Sequence, residues 1–384
     1  MIGNLRVEVD VNAASDVYFE KEVAEQLNGD GIGDITNLIY KLNGNTFMPL
    51  NVFLEMTDSC NFACPFCYIN ECGMIHSTLP RFDELKPTLD YLINNGMLYA
   101  TLSGGECLLY PDFKDIYTYL KQSGVLVTVF TNGYLINDEL IELFREYKPF
   151  RVEISLYGND DDSYCRTVNR SDISAARVFN NVLKLRKAGI NVFCKTLITS
   201  FTENTWEACR DWCAANDIPY DTGVELEATY SGVSRDEYKV SEGFYTKSRK
   251  ASDREFFENE EMMALINGSE SRRKLCFDCA AGKTELFVSA KYKLYPCMKA
   301  VGIDEWGFDI ASEGIENACS DLRQQLEKWR SRPLQHCRGC RYHEVCQECF
   351  FSAYALEGEE LAQHRHAYCD QLRTYIEAGP PPED

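Results

Sequence analysis

The sequence has little positive charge for its size. Its 384 residues carry Lys+Arg 39 against Asp+Glu 60, a formal net charge of −21, and the pI is near 4.7. Binding to nucleic acid or to an anionic membrane surface through phosphate contacts needs the opposite balance, so neither partner is expected. Long apolar runs are missing too: mean hydropathy is −0.32, and no stretch approaches the ~20 apolar residues of a membrane span. The N-terminus MIGNLRVEVDVNAASDVYF has no basic segment leading into an apolar one. No signal peptide is therefore read, and the expected location is cytoplasmic. There is no internal repeat. No dinucleotide glycine fingerprint follows the first α/β strand, which counts against a Rossmann fold.

Cysteine, by contrast, is abundant: 18 residues in a chain otherwise of ordinary globular composition, 45% hydrophobic and 26% charged. Disulfide scaffolds belong to small secreted domains, and this chain is neither small nor visibly secreted, so metal or iron–sulfur ligation is the better reading. Position agrees, with three cysteines within residues 60 to 67 and nine after residue 275.

Residues 1–47 combine an alternating piece (Leu5, Val7, Val9, Val11) with an amphipathic stretch from Val17 to Leu42, and read as an N-terminal extension. From about residue 48 short apolar segments alternate with helical patterns. Strands are expected at Leu50–Met56, Tyr99–Ser103, Val125–Thr131, Phe150–Leu156, Asn191–Ile198 and Gly223–Ala228. Helices are expected at Phe82–Asn94, Asp112–Gln122, Asp138–Tyr147, Ser174–Ala188 and Thr205–Asn216. Such alternation predicts an α/β core with a parallel sheet over residues 48–228, doubly wound or curved toward a barrel. Residues 229–275 read as a charged, serine-rich bridge, and 276–384 as a Cys-rich, loop-like domain.

Cys60-Asn-Phe-Ala-Cys64-Pro-Phe-Cys67 follows the first core strand directly, where loops of a parallel barrel carry chemistry. Three thiolates could hold zinc with a fourth ligand, but the nearest histidine, His76, has nothing to mark it as one. A [4Fe–4S] cube on three cysteines leaves one iron open. This C-x3-C-x2-C motif resembles that of the radical SAM superfamily, and further stretches match in order. Ser103-Gly104-Gly105-Glu106 resembles the family's GGE motif, whose glycines permit close backbone approach and whose carboxylate pairs the ammonium of S-adenosylmethionine (SAM). The usual next residue, proline, is Cys107 here. Thr131-Asn132-Gly133 resembles the TNG turn, read equally as a plain Asn-Gly turn. Ser155 is placed like the SAM-contacting serine and Arg166 like the arginine that pairs the SAM carboxylate, with a surface role as its alternative.

The C-terminal cysteines resemble a SPASM domain, the auxiliary-cluster extension of radical SAM enzymes. That resemblance implies Cys276, Cys279, Cys297 and Cys349 for a first auxiliary cluster, and Cys337, Cys340, Cys346 and Cys369 for a second, making three [4Fe–4S] clusters in all. Two zinc sites would use the same eight thiols. Two departures stand out: C-x2-C at Cys346–Cys349 where C-x3-C is frequent, and Tyr292 at a usual glycine position.

The fold implied is a partial (β/α)6 TIM-like radical SAM barrel followed by the Cys-rich SPASM domain. The activity implied is anaerobic peptide maturation: SAM cleavage gives a 5′-deoxyadenosyl radical, and a ribosomal precursor peptide is oxidatively crosslinked through a thioether or C–C bond. Sulfatase maturases share the architecture, but place a catalytic Asp where this chain has Met298, which cannot take a proton. Peptide epimerisation, with Cys107 as hydrogen donor, and a non-catalytic zinc-bound binding protein are the other readings. Glu225 and Glu227, alternating on the sixth expected strand, are candidates for orienting the peptide or acting as a base, with a solvated pair as the alternative. Expected partners are the precursor peptide and an electron donor such as flavodoxin or ferredoxin; since 47 residues are too few for a winged-helix leader-binding domain, either a separate leader-binding protein presents the leader or the barrel grips it directly. Cys72, Cys165, Cys194, Cys209, Cys213 and Cys319 read as buried hydrophobes.

Overall fold

The computed structural model describes residues 7–9, 17–19, 47–69, 76–244, 258–259, 279–330, 349–358 and 376–377. Two short strands, β1 (Val7–Val9) and β2 (Val17–Phe19), pair antiparallel, so the amphipathic stretch from Val17 opens as a strand. The main sheet begins with β3 (Asn51–Glu55), β4 (Tyr99–Ser103) and β5 (Leu126–Thr131). It continues through β6 (Arg151–Ser155), β7 (Val192–Leu197) and β8 (Tyr220–Gly223). These six strands are parallel and lie side by side in chain order.

That order selects between the two expected architectures. A doubly wound sheet reverses its strand order at a switch point. Here it never reverses, so right-handed crossovers place every connecting helix on the same face. The helices are α1 (Phe82–Asn94), α2 (Phe113–Gln122), α3 (Asp138–Glu146), α4 (Asp161–Val168), α5 (Ala175–Lys187) and α6 (Trp206–Ala215). Under them lie Val52, Leu54, Ala100, Leu102, Val127, Val129, Val152, Ile154, Val192 and Cys194, each at most 1% exposed. The alternate residues face the other way, into the concave interior of an open barrel. Phe53, Ser103, Thr128, Phe130, Ser155, Phe193 and Lys195 there are only half-buried. Strands of a sheet covered on both faces read as continuous apolar runs, whereas these alternate because one face is a lumen.

The Cys-rich portion contributes to the same sheet rather than forming loops alone. Strand β9 (Glu285–Val288) runs parallel to β3, and β10 (Lys293–Tyr295) and β11 (Phe308–Asp309) extend the edge antiparallel. The hairpin between β9 and β10 turns at Tyr292, whose φ is +55°. A non-glycine residue there costs roughly 1–2 kcal/mol. The turn holds because the Tyr292 hydroxyl meets Thr88 Oγ1 at 2.7 Å and its backbone N–H donates to Ser289 O at 2.8 Å. Beyond it come α7 (Ile310–Glu313), α8 (Ile315–Arg330) and α9 (Phe350–Glu357). Trp306, Trp329, Phe350, Phe351 and Tyr354 form a buried aromatic cluster. Among the described residues no helix is long and apolar enough to cross a membrane.

Candidate metal and cofactor site

The segment after β3 carries Cys60, Cys64 and Cys67 over the barrel mouth. Phe62 and Phe66 alternate with the cysteines and anchor the loop from below. Phe62 meets Tyr134, Tyr157 and Tyr164 edge-on, and Phe66 packs on Tyr157 and Phe201. The backbone is held by Ala63 N–H to Val168 O at 3.0 Å and by the Arg235 guanidinium, which donates to Cys67 O at 3.1 Å. Arg235 was invisible in the sequence, lying 168 residues away in the bridge.

Cys64 is buried, Cys67 half-buried, and Cys60 exposed at the open side. Loss of hydration pushes the Cys60 thiol up to about 12, against which the Phe62 N–H works. That N–H donates to Cys60 Sγ at 3.4 Å, and Asn132 Nδ2 lies 3.8 Å from the same sulfur. Burial raises the Cys64 thiol, helped by the charges of Cys67 and Cys60, and the charges of Glu106 and Cys67 add to the rise at Cys60. Three thiols on one loop, with N–H donors turned to Cys60, suit a cluster bound through thiolates. Among the described residues no three His, Cys, Asp or Glu side chains converge closely enough for a single metal ion.

The Gly-Gly-Glu segment is pressed against the strand end that launches the cysteine loop. A Cβ on Gly104, whose φ is +140°, would lie 2.2 Å from Thr57 O, and one on Gly105 would lie 2.4 Å from Ser59 O. Gly105 N–H donates to Thr57 O at 2.7 Å and Glu106 N–H to Ser59 O at 2.9 Å. The close approach is thus to the chain's own backbone. The Glu106 carboxylate, 1% exposed, is engaged on both oxygens. Oε1 accepts from Thr131 Oγ1 at 2.8 Å and Leu108 N–H at 3.1 Å, and Oε2 from Asn132 N–H at 2.8 Å. Burial raises its pKa against these donors. Glu106 thereby ties the GGE and TNG turns together. Asn132 completes the brace through Nδ2, which donates to Asn61 Oδ1 at 2.8 Å in the cysteine loop.

Ser155 ends β6 at the barrel rim, half-buried. Arg166 lies exposed on α4, 3.3 Å from Asp162. Cys107 is 0% exposed and its Sγ donates to the Phe130 carbonyl at 3.2 Å, so this structure withholds the accessible thiol that a hydrogen donor to substrate requires. The sixth strand ends at Gly223, which leaves Glu225 and Glu227 beyond it in the loop and not on a shared strand face. Glu225 is exposed, and Glu227 pairs with Lys299. Of the C-terminal cysteines, Cys279, Cys297 and Cys349 are neighbours, and burial, aided by the charge of Cys349, pushes the Cys297 thiol up to about 12. Cys276, Cys337, Cys340, Cys346, Cys369 and Cys72 lie outside the described residues.

Residues 54–213 match the Radical SAM superfamily. The chain is 28% identical to the Bacillus subtilis antilisterial bacteriocin subtilosin biosynthesis protein AlbA, over 65% of this chain and 55% of that protein. It therefore spans about half the length of that relative. It is 25% identical to the AdoMet-dependent heme synthase of Methanosarcina barkeri, over 84% of this chain and 97% of the other. In fold it resembles Streptococcus suis SuiB bound to the precursor peptide SuiA, with a TM-score of 0.64, 16% identity, and coverage of 91% of this chain and 85% of SuiB. Residues 54–213 of this chain form a radical SAM domain.

Proposed function

We propose that the chain is a radical SAM peptide maturase that oxidatively crosslinks a ribosomal peptide. The observation that carries this reading is the brace of Cys60-x3-Cys64-x2-Cys67, Gly104-Gly105-Glu106 and Asn132 at the mouth of an open barrel whose inner wall is only half-buried. A [4Fe–4S] cluster with SAM on its open iron would supply a 5′-deoxyadenosyl radical to abstract a substrate hydrogen. Thiolates of such a cluster bind separate irons, so they need not stand as close together as the ligands of one ion. The protein's own part is to orient the reacting C–H bond and to exclude water. Ser155, at the end of β6, would contact bound SAM.

Cys279, Cys297 and Cys349, with Cys276, fit a first auxiliary cluster. Cys337, Cys340, Cys346 and Cys369 would hold a second. In this reading residues 229–275 bridge the core to a SPASM domain from 276 onward, and a flavodoxin or ferredoxin supplies electrons. AlbA takes part in making a peptide bacteriocin, and SuiB is seen with a precursor peptide. The heme synthase makes a tetrapyrrole substrate the competing possibility. The test is an anaerobic assay of reconstituted protein with SAM, reductant and candidate precursor peptides, read by mass spectrometry. A loss of two mass units (two hydrogens) on a peptide is the expected result. 5′-Deoxyadenosine formed with no peptide changed, but with a porphyrin precursor consumed, would overturn the reading.

A further inference from the structure

The inner wall of the barrel holds a charged group that the proposed cofactor site does not use. On β6 and β7 the lumen-facing residues include Arg151, Glu153, Ser155, Phe193 and Lys195, in a register that pairs Glu153 with Phe193 and Ser155 with Lys195. The Glu153 side chain is 7% exposed and lies between two cations, with one oxygen on Arg151 and the other 3.0 Å from Lys195 Nζ. Lys195 Nζ also sits 3.6 Å from the centroid of the Phe130 ring, and the Arg151 guanidinium 4.8 Å from that of Phe193. Two cations face one anion, so the group carries a net positive charge inside a protein of net −21.

Its hydrogen-bonding capacity is also in surplus. An ammonium has three donors, and Glu153 takes one. Arg151 Nε is buried and has no hydrogen-bond partner. The Lys195 side chain is 34% exposed, so it is open to the lumen while Glu153 is closed off. Other carboxylates of the sheet make their own contacts. Asp221, beside Lys195 on β8, accepts from Thr222 N–H at 2.7 Å, and Glu55 accepts from Tyr230 and Ala290. The cation lies deeper than the SAM contact: Nζ reaches back to Glu153, one pleat (about 6.6 Å) down the wall from Ser155.

We propose that Lys195, with Arg151 and Glu153 behind it, is a recognition subsite for a carboxylate on the peptide that enters the barrel. This rests on the peptide-maturase reading above. Away from bulk water a charge-assisted hydrogen bond is strong, and Phe53, Phe130 and Phe287 line the same wall with apolar surface. The acidic exterior repels such a peptide in general, which makes an interior cation selective for the one segment that reaches it. The carboxylate is either an Asp or Glu side chain or the peptide's C-terminus.

The experiment incubates reconstituted, SAM-loaded protein with two synthetic random-peptide libraries, one with free C termini and one amidated, and reads retained peptides by tandem mass spectrometry. Wild type is expected to enrich Asp or Glu at one position about tenfold in both libraries if the side chain is bound. If the C-terminus is bound, it should retain the free-acid library selectively. Lys195→Met keeps the aliphatic stem on Phe130 and is expected to lose the preference, while Glu153→Gln removes the competing anion and is expected to strengthen it. A wild-type pool with no carboxylate preference, or a preference kept by Lys195→Met, overturns the proposal. So does a fall in SAM affinity in Lys195→Met with peptide selection unchanged, which would give the cation to the SAM carboxylate. Retention of no peptide by a wild type that still forms 5′-deoxyadenosine would instead overturn the peptide reading itself.

Discussion

Glu55 and Tyr230 stand 175 residues apart in the chain and meet in a 2.7 Å hydrogen bond, phenol to carboxylate. The other Glu55 oxygen accepts from Ala290 N–H at 2.9 Å. One buried carboxylate thus joins the end of β3, the loop after β8 and the hairpin after β9. It lies below the cysteine loop, where Tyr68 packs edge-on against Tyr230 at 5.5 Å. Glu55→Leu strands the Ala290 N–H and the Tyr230 hydroxyl without a partner, and the expected cost is about 1–3 kcal/mol in urea denaturation. Glu55→Gln, able to accept from one and donate to the other, should cost less.

The same carboxyl gives a signed pH effect. Burial raises the Glu55 pKa above its ordinary 4.5, so the folded state holds this proton more tightly than the unfolded chain. Its contribution is fully present below the unfolded value and is lost as pH rises through the raised folded value. The stability of wild type relative to Glu55→Gln should therefore decline with rising pH above about 4.5, measured as paired denaturation midpoints. A flat difference would contradict it.

Lys121 provides the opposite sign. Its side chain is buried in α2, and desolvation lowers its pKa to about 8 from 10.5. Between these values the unfolded chain binds more protons than the folded one, so this residue's contribution to stability rises with pH there. Lys121→Met should raise the denaturation midpoint at pH 7, with the advantage over wild type shrinking as pH climbs through that window. An advantage that does not change with pH would count against it.

At the GGE turn the backbone itself sets the tolerance. Gly105→Ala would drive a methyl to 2.4 Å from Ser59 O and 2.6 Å from Asp58 O. Neither atom belongs to a side chain that could swing away. The expected cost is about 1–3 kcal/mol, with iron retention falling as well, because the displaced segment leads directly into Cys60. Full iron content and an unchanged midpoint would show that the turn does not position the cysteine loop.

Glu106 and its neighbour Cys107 should respond differently. Glu106→Gln offers one acceptor where three donors converge, at a cost of about 1–3 kcal/mol and with weaker SAM binding by calorimetry. Cys107→Ala removes one buried sulfur and should retain turnover at a cost of about 1 kcal/mol. Loss of turnover in a folded Cys107→Ala protein would revive the epimerase reading.

Much of the core was legible because strand and helix periods differ. Tyr99–Ser103 and Phe82–Asn94 match their expected bounds; of four other core strands, three are a residue shorter at both ends and one at its start. The sixth strand was misplaced: its residues Tyr220-Asp-Thr-Gly223 lie at the sheet edge with little apolar signal, whereas the alternating Val224 and Leu226 beyond it form no strand. Helix α4 was missed because its sequence is polar and short. The available signal was its capping box, in which Asp160 accepts from Ser163 N–H at 2.7 Å. Strands β9 to β11 are two to four residues long, too short for periodicity to register, and pairing with β3 makes them. The motif positions were readable, but the roles of Glu106 and Cys107 depend on burial, which no spacing reveals.

The most direct test of the account is iron content and SAM cleavage in protein reconstituted without oxygen, wild type beside a Cys60→Ser, Cys64→Ser, Cys67→Ser triple variant. The account predicts about twelve irons per wild-type chain, as three four-iron clusters require, with 5′-deoxyadenosine formed. The variant should hold about four fewer irons and form none. Zinc in place of iron with no 5′-deoxyadenosine, or SAM cleavage surviving in the triple variant, would contradict it.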